Sequence, residues 1–331
     1  MKKILLLTTG GTISSVSSND GLIPTNCNLE FINALKDNES TITTKNIMVL
    51  DSSNIQPEEW KIIATEIYEG MKQYDGIIVT HGTDTMAYTA SMMCFMIQNP
   101  TIPIIFTGSQ LPISHPLTDA ILNLKCSLEM VKTNYKGIFV VFNRKIILGC
   151  RAVKVSTKGF TAFQSINLHS VGKIDSTGIV VRPEYLPKYT NEPTLNLNIN
   201  TNVFLLKLTP TTNPDIMDLL ISSGIKGIVI EAYGSGGISF VRRDFVSKIK
   251  KATENNVAVV VCSQCLYDGS NFNIYEVGTK AISSGAIEAY DMTTESAVCK
   301  LMYALGQTDD LIKVKEIFET PIARENRVER K

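Results

Sequence analysis

The chain has 331 residues, enough for two domains of ordinary size, with 32 basic and 32 acidic side chains and no net charge. That balance gives no electrostatic footprint for nucleic acid or an anionic membrane, so neither is expected as a partner. Seven cysteines, scattered and odd in number, fit reduced thiols in a cytoplasmic protein better than a disulfide framework.

Ile4-Leu5-Leu6-Leu7 reads as a short, fully buried first strand, far too brief for a signal-peptide core or a membrane span. It runs into Thr8-Thr9-Gly10-Gly11-Thr12. The glycines let the backbone turn sharply and leave N–H groups uncovered, and Thr12 stands at the strand's carboxyl end. In open α/β sheets that is where ligands bind. Capping a turn is the plainer role for such a threonine. Residues 13–21, polar and small, show no helical period and read as a loop of the kind that forms a lid. The glycines are followed by neither a P-loop Gly-Lys-Ser/Thr nor the third glycine of a dinucleotide fingerprint.

A helical segment is expected around Leu29–Leu35 and a strand at Ile47–Leu50, ending in the polar cluster Asp51-Ser52-Ser53-Asn54. Pro57 suits a first helical turn, and Trp60, Ile63, Ile67 and Met71 recur at helical spacing as core contacts. Strand Gly76–Thr80 leads into His81-Gly82-Thr83-Asp84-Thr85 and the apolar helix Met86–Ile97, where Thr83 and Asp84 occupy capping positions. Strand Ile102–Phe106, a turn at Thr107–Pro112, helix Thr118–Val131 and strand Gly137–Phe142 continue the alternation. Lys145–Gly149 and Arg151–Val155 then read as a hairpin or edge pair. It carries Lys154, which such a setting usually leaves solvated.

Residues 186–200, with Pro187, Pro193 and several asparagines, read as a linker between an N-terminal catalytic α/β domain (1–185) and a smaller α/β domain (201–331). Beyond it, strands at Val203–Leu208, Lys226–Glu231 and Val257–Cys262 alternate with helices at Asp215–Ser222 and Asp244–Thr253. Helices near Glu295–Leu305 and Asp310–Phe318 close the chain. The alternation means parallel sheets covered by helices, repeated in two domains. Cys262-Ser263-Gln264-Cys265 lacks the second pair a zinc site needs, and His81, His115 and His169 form no ligand cluster. No metal or cofactor is expected.

Three polar clusters, Gly10–Thr12, Asp51–Ser53 and Gly82–Asp84, stand at strand carboxyl ends, and parallel pairing would bring them to one edge. They offer threonine and serine hydroxyls, carboxylates and uncovered N–H groups. That inventory suits covalent acyl transfer on a small charged amide, with a hydroxyl nucleophile, an oxyanion site and anchors for ammonium and carboxylate. Chemistry alone stops at a small-molecule hydrolase or a binding protein.

Thr-Gly-Gly-Thr-Ile-Ser at 9–14, Asp51-Ser52-Ser53, His81–Met86, Thr107-Gly108-Ser109-Gln110 and Gly149–Lys154 stand together in an order that resembles the bacterial-type L-asparaginases of the cytoplasmic type I branch. Tyr233–Gly237 and Asp291–Glu295 extend the resemblance over nearly the whole chain. It implies a larger flavodoxin-like domain, L-asparagine as substrate, and a homodimer or homotetramer with shared active sites. By the same resemblance Thr12 is the nucleophile, and Thr83, Asp84 and Lys154 form a second constellation in which Lys154 acts as a base through Thr83. Asp51, Ser52, Ser53 and Asp84 fall on the substrate-binding positions, with Ser52 and Asp84 holding the α-carboxylate and α-ammonium. Gly11 and Thr83 N–H groups face the oxyanion. Tyr233, Gly236 and Gly237 fall in the loop that completes a neighbouring protomer's site.

One position departs from the family pattern. The lid usually carries a catalytic tyrosine near Gly-Tyr-x-Pro, and here it reads Gly21-Leu22-Ile23-Pro24. Leu22 is therefore expected to close the lid by apolar packing, without passing a proton. Two further readings compete with an asparaginase. One is the amidase component of a tRNA-dependent amidotransferase, disfavoured because the nucleophile strand begins at residue 4. The other is an amino-acid-binding or regulatory module with weak or lost amidase activity.

Overall fold

The computed structural model describes residues 1–18, 21–25, 29–274 and 276–327. The chain divides into two units, Met1–Leu197 and Asn198–Lys331. In the first, β1 (Lys2–Gly10), β2 (Ser15–Ser18), β3 (Gly21–Pro24), α1 (Leu29–Leu35), β4 (Ser40–Leu50), α2 (Pro57–Gly70), β5 (Gly76–Thr80), α3 (Met86–Met96) and β6 (Ile97–Gln98) are followed by β7 (Pro103–Thr107), α4 (Ala120–Val131) and β8 (Gly137–Phe142). Short strands β9 (Lys145–Leu148), β10 (Ala152–Lys154), β11 (Phe163–Ser165), β12 (Gly172–Asp175), β13 (Gly178–Val181) and β14 (Thr194–Leu195) complete it.

The main sheet runs β13-β12-β9-β8-β7-β5-β1-β4. From β4 to β8 every pairing is parallel, while β9, β12 and β13 add an antiparallel edge. The parallel part therefore has the flavodoxin-like order 2-1-3-4-5, whose direction reverses between β1 and β5. The loops after those two strands flank the crevice where such sheets bind ligands. Apolar runs explain the buried middle: Ile4, Leu6, Leu7, Ile77–Val79 and Ile104–Phe106 are all fully enclosed. Helix α3 is apolar all round and almost wholly buried, as a core helix must be.

Three local readings are corrected. Residues 15–18 and 21–24 are not loop but a hairpin, Ser15 opposite Pro24 and Ser17 opposite Leu22. The remaining expected lid residues, Asn19 and Asp20, lie outside the described residues. Lys145–Leu148 and Ala152–Lys154 do not pair with each other. A 3₁₀ turn at Gly149–Arg151 parts them, so β9 joins the main sheet and β10 pairs with β11. The second strand begins at Ser40 and not Ile47, because its polar first half runs along the sheet edge beside β1.

The second unit holds β15 (Val203–Lys207), α5 (Asp215–Ser222), β16 (Gly227–Ala232), α6 (Phe245–Glu254), β17 (Ala258–Ser263), α7 (Glu276–Ser283), β18 (Ile287–Glu288), α8 (Thr294–Gln307) and α9 (Leu311–Glu319). Its strands form one parallel sheet in sequence order. Apolar clusters cover both faces, one around Phe245, Ile249 and Val259, the other around Val260, Leu301 and Phe318. Among the described residues no helix is long and apolar enough to cross a membrane.

Glycines let the strand ends of the first unit close on one another. Gly11 has φ 79° and ψ 178°, a conformation reserved for glycine, and a Cβ there would lie 2.5 Å from the Gly82 backbone. Gly178 also has positive φ but faces open space. Gly11→Ala should therefore cost clearly more than Gly178→Ala, whose strain alone is on the order of 1–3 kcal/mol. Urea denaturation of both variants measures this, and equal losses would contradict close backbone approach at Gly11.

Candidate active site

At the carboxyl edge of β1, β4 and β5 the three polar clusters meet through their backbones. Gly11 N–H donates to Leu50 O at 2.9 Å, which ties the first turn to the end of β4 and, contrary to the expectation from the sequence, leaves that N–H no proton for an oxyanion. A Cβ on Gly10 would strike Leu50 O at 2.5 Å, and one on Gly82 would strike Ser52 Oγ at 2.6 Å. No side chain fits between these segments, so Thr12, Ser52 and Thr83 are drawn to a common edge.

Thr12 opens a 3₁₀ turn, Thr12–Ser14, and is half-buried. The turn is held from below, since Ser14 and Ser15 hydroxyls both donate to Gly11 O, at 3.2 and 3.0 Å. Asp51 caps the next turn by accepting from Ser53 N–H at 2.8 Å and Ser53 Oγ at 2.6 Å. Asp51 and Ser53 thus satisfy one another and set the buried Ser52 between them. Ser52 Oγ accepts from Asp84 N–H at 3.2 Å, and Ser52 O accepts from Thr85 Oγ1 at 2.7 Å. The Ser52 hydroxyl proton is left to donate to a ligand anion.

Thr83 and Asp84 do not cap α3. Its N-cap is Thr85, which makes no side-chain cap bond. Both residues turn instead to Lys154, which donates to Thr83 Oγ1 at 2.8 Å and to Asp84 Oδ1 at 2.6 Å. The Lys154 side chain is only 17% exposed, while Asp84 is 63% exposed. Lys154 is therefore not the solvated surface lysine that its local sequence suggests. Asp84 keeps a second carboxylate oxygen as acceptor for a ligand cation.

Gln110 has no role in the sequence reading, yet Thr83 Oγ1 donates to Gln110 Oε1 at 3.3 Å. Its backbone is fixed by Asp119, which accepts from Gln110 N–H at 3.0 Å and is held by Asn123 Nδ2 at 3.1 Å. The spacing of four between Asp119, the N-cap of α4, and Asn123 brings those two side chains together but does not point to Gln110.

His81 is fully buried behind the site. Burial pushes its imidazole down to about 4, against the opposing pull of its hydrogen bond to Gly82 O. The folded state thus holds it neutral where the unfolded chain would protonate it. Because the folded value lies below the ordinary 6.5, stability present above pH 6.5 is lost as pH falls toward 4, by about 3 kcal/mol. Replacing His81 by Asn should flatten the pH dependence of unfolding free energy over that window by this amount. Urea titrations at pH 7 and 4 read the difference, and parallel pH profiles would contradict a buried neutral histidine.

Tyr233, Gly236 and Gly237 lie in the second unit, in a turn closed on itself: Tyr233 N–H donates to Gly237 O at 3.0 Å and Gly237 N–H to Tyr233 O at 2.6 Å. A Cβ on Gly236 would meet the Phe272 ring at 2.5 Å. Leu22 lies on the hairpin of β2 and β3 with 49% of its surface exposed, beside the similarly exposed Ile23 and Val16.

The family model "Asparaginase, N-terminal" matches residues 3–186, and "Glutaminase/Asparaginase C-terminal domain" matches residues 202–318. The chain belongs to the asparaginase family. An L-asparaginase of Thermococcus kodakarensis is 40% identical over 327 residues, covering 98% of both chains. A solved L-asparaginase structure from that organism superposes with a TM-score of 0.92 at 39% identity, covering 98% of this chain and 99% of that one. A glutamyl-tRNA(Gln) amidotransferase subunit of Methanosphaera stadtmanae is 34% identical over 98% of this chain and 76% of its own length. The asparaginase-family fold thus accounts for both units, and the site described above lies within the first family domain.

Proposed function

We propose that the protein is an L-asparagine amidohydrolase that works through a threonine acyl-enzyme. One observation carries the reading: Lys154 Nζ lies 2.8 Å from Thr83 Oγ1 and 2.6 Å from Asp84 Oδ1, beside the turn that presents Thr12. Such a constellation joins a hydroxyl, an amine and a carboxylate at the edge of a sheet, and the family is one of amide-cleaving enzymes.

In this reading Ser52 donates to the substrate's α-carboxylate and Asp84 accepts from its α-ammonium, so the side-chain amide is carried to Thr12. Thr12 Oγ attacks the amide carbon, and its β-methyl keeps the hydroxyl near one direction. The proton leaves toward the Thr83–Lys154 pair, a role that needs the Lys154 amine to accept along the contact where it now donates. The Thr83 N–H stabilises the oxyanion, while the Gly11 N–H stays committed to Leu50 O. The C–N bond then breaks, the nitrogen takes up a proton, and ammonia departs. Water cleaves the resulting ester, giving aspartate and restoring the Thr12 hydroxyl. Leu22 has no proton to pass and serves the lid by covering the site. The Tyr233–Gly237 turn of a second copy completes the pocket.

The likeness to the amidotransferase component favours one second reading, an amide-cleaving polypeptide that delivers its ammonia to a partner enzyme. Ammonia release by the purified chain alone separates the two. The wild type should turn over asparagine without any partner, and glutamine more slowly, since one extra methylene discriminates by only about 1–3 kcal/mol. Thr12→Ala should abolish turnover while retaining aspartate binding. Lys154→Met should lower kcat by roughly 10²–10⁴-fold with little change in binding, as expected for a positioned proton carrier. Near-normal kcat in Lys154→Met would remove the lysine from the chemistry.

A further inference from the structure

Behind Thr83 runs a chain of buried polar side chains that the mechanism above does not use. Trp60 Nε1–H contacts Thr89 Oγ1 at 3.0 Å, Thr89 Oγ1 contacts His81 Nε2 at 2.9 Å, and His81 Nδ1 contacts Gly82 O at 2.7 Å. All three residues are buried, His81 and Thr89 completely. The direction of the chain follows from its ends. An indole N–H can only donate and a carbonyl can only accept. Were the ring proton on Nε2, the Nδ1 lone pair would face the Gly82 oxygen and both would be unsatisfied. The proton is therefore on Nδ1. Trp60 donates to Thr89, Thr89 donates to Nε2, and Nδ1–H donates to Gly82 O.

We propose that His81, braced by Thr89 and Trp60, is a positioning residue that locks the Gly82–Thr83 peptide plane and so aims the Thr83 N–H at the oxyanion. This rests on the amidohydrolase reading above. In a trans peptide the carbonyl and the following N–H point in opposite directions, and the described residues contain no cis bond. Holding Gly82 O toward His81 therefore fixes the Thr83 N–H on the opposite side. The lock is needed because residue 82 is glycine, required there by the approach of Ser52 and free of the side-chain restraints that would settle the plane. An apolar residue at 81 would fill the same volume without supplying the donor. A neutral imidazole, kept so by burial, gives one tautomer and hence one orientation at any pH above about 4.

Three variants test the assignment. His81→Leu removes the donor. His81→Asn returns an N–H near the position of Nδ1. Thr89→Val cuts the brace without touching Gly82. His81→Leu should lower kcat for asparagine by roughly 10²-fold, the scale of losing one aligned oxyanion donor, with KM within about threefold. His81→Asn should recover at least about tenfold of that loss, and Thr89→Val should fall between Asn and wild type. A purely structural role would lower the melting temperature of both His81 variants without the kcat difference between Asn and Leu. Equal kcat in those two variants, both shown folded at the assay temperature, overturns the proposal. Should His81→Leu not fold, unchanged kcat in Thr89→Val overturns it instead. The ¹⁵N–¹H resonance of Thr83 in the ligand-free chain reads the plane without turnover. It should shift most in His81→Leu, less in His81→Asn and least in Thr89→Val, and an unmoved resonance in Thr89→Val overturns the proposal. Absence of ammonia release by the wild type would defeat the functional reading, while the Thr83 resonance still decides the positioning.

Discussion

Close backbone contact between strand ends is the constraint on which the rest of the first unit depends. Gly11 against Gly82, Gly10 against Leu50 and Gly82 against Ser52 leave no room for a Cβ at any of the three contacts. Packing so dense cannot be relieved by small shifts, because the atoms in contact are largely main chain. Hydroxyl and carboxylate groups borne by the adjoining residues are thereby gathered at one edge. The sheet order reinforces this, since β1 and β5 are the strands between which the connections change direction.

Around that edge several polar groups are committed to one direction by a partner behind them. Asp51 sets Ser52, Asp119 and Asn123 set Gln110, and Gly11 O gathers the hydroxyls of Ser14 and Ser15. In the proposed reaction such a shell would lower the reorganisation needed as charge develops. The Lys154–Asp84 pair is the exception in its exposure. Its carboxylate faces water, so solvent screens the pair, and its value lies in orientation more than in stability.

Much of this is legible in the sequence. Buried parallel strands announce themselves as apolar runs bounded by turn residues, which is why Gly76–Thr80 and Gly137–Phe142 were found residue for residue. The polar clusters after β1, β4 and β5 followed from the same pattern. Elements that lie at edges were lost, because half-exposed strands such as Ser40–Asn46 and the Ser15–Pro24 hairpin carry too few apolar residues to show a period. Lys154 illustrates another limit. Its partner Thr83 is 71 residues away, and the local sequence around it describes an ordinary surface lysine. His81 and Gln110 were seen only as parts of motifs, since hydrogen bonds through a buried ring or an amide leave no spacing rule.

The central claim is that Thr12, and not the Lys154-bound Thr83, carries the acyl group. Mass spectrometry of the chain quenched during turnover of a slow amide substrate addresses it directly. The account predicts an aspartyl adduct on the peptide containing Thr12, absent in Thr12→Ala. An adduct confined to the peptide containing Thr83 would contradict it.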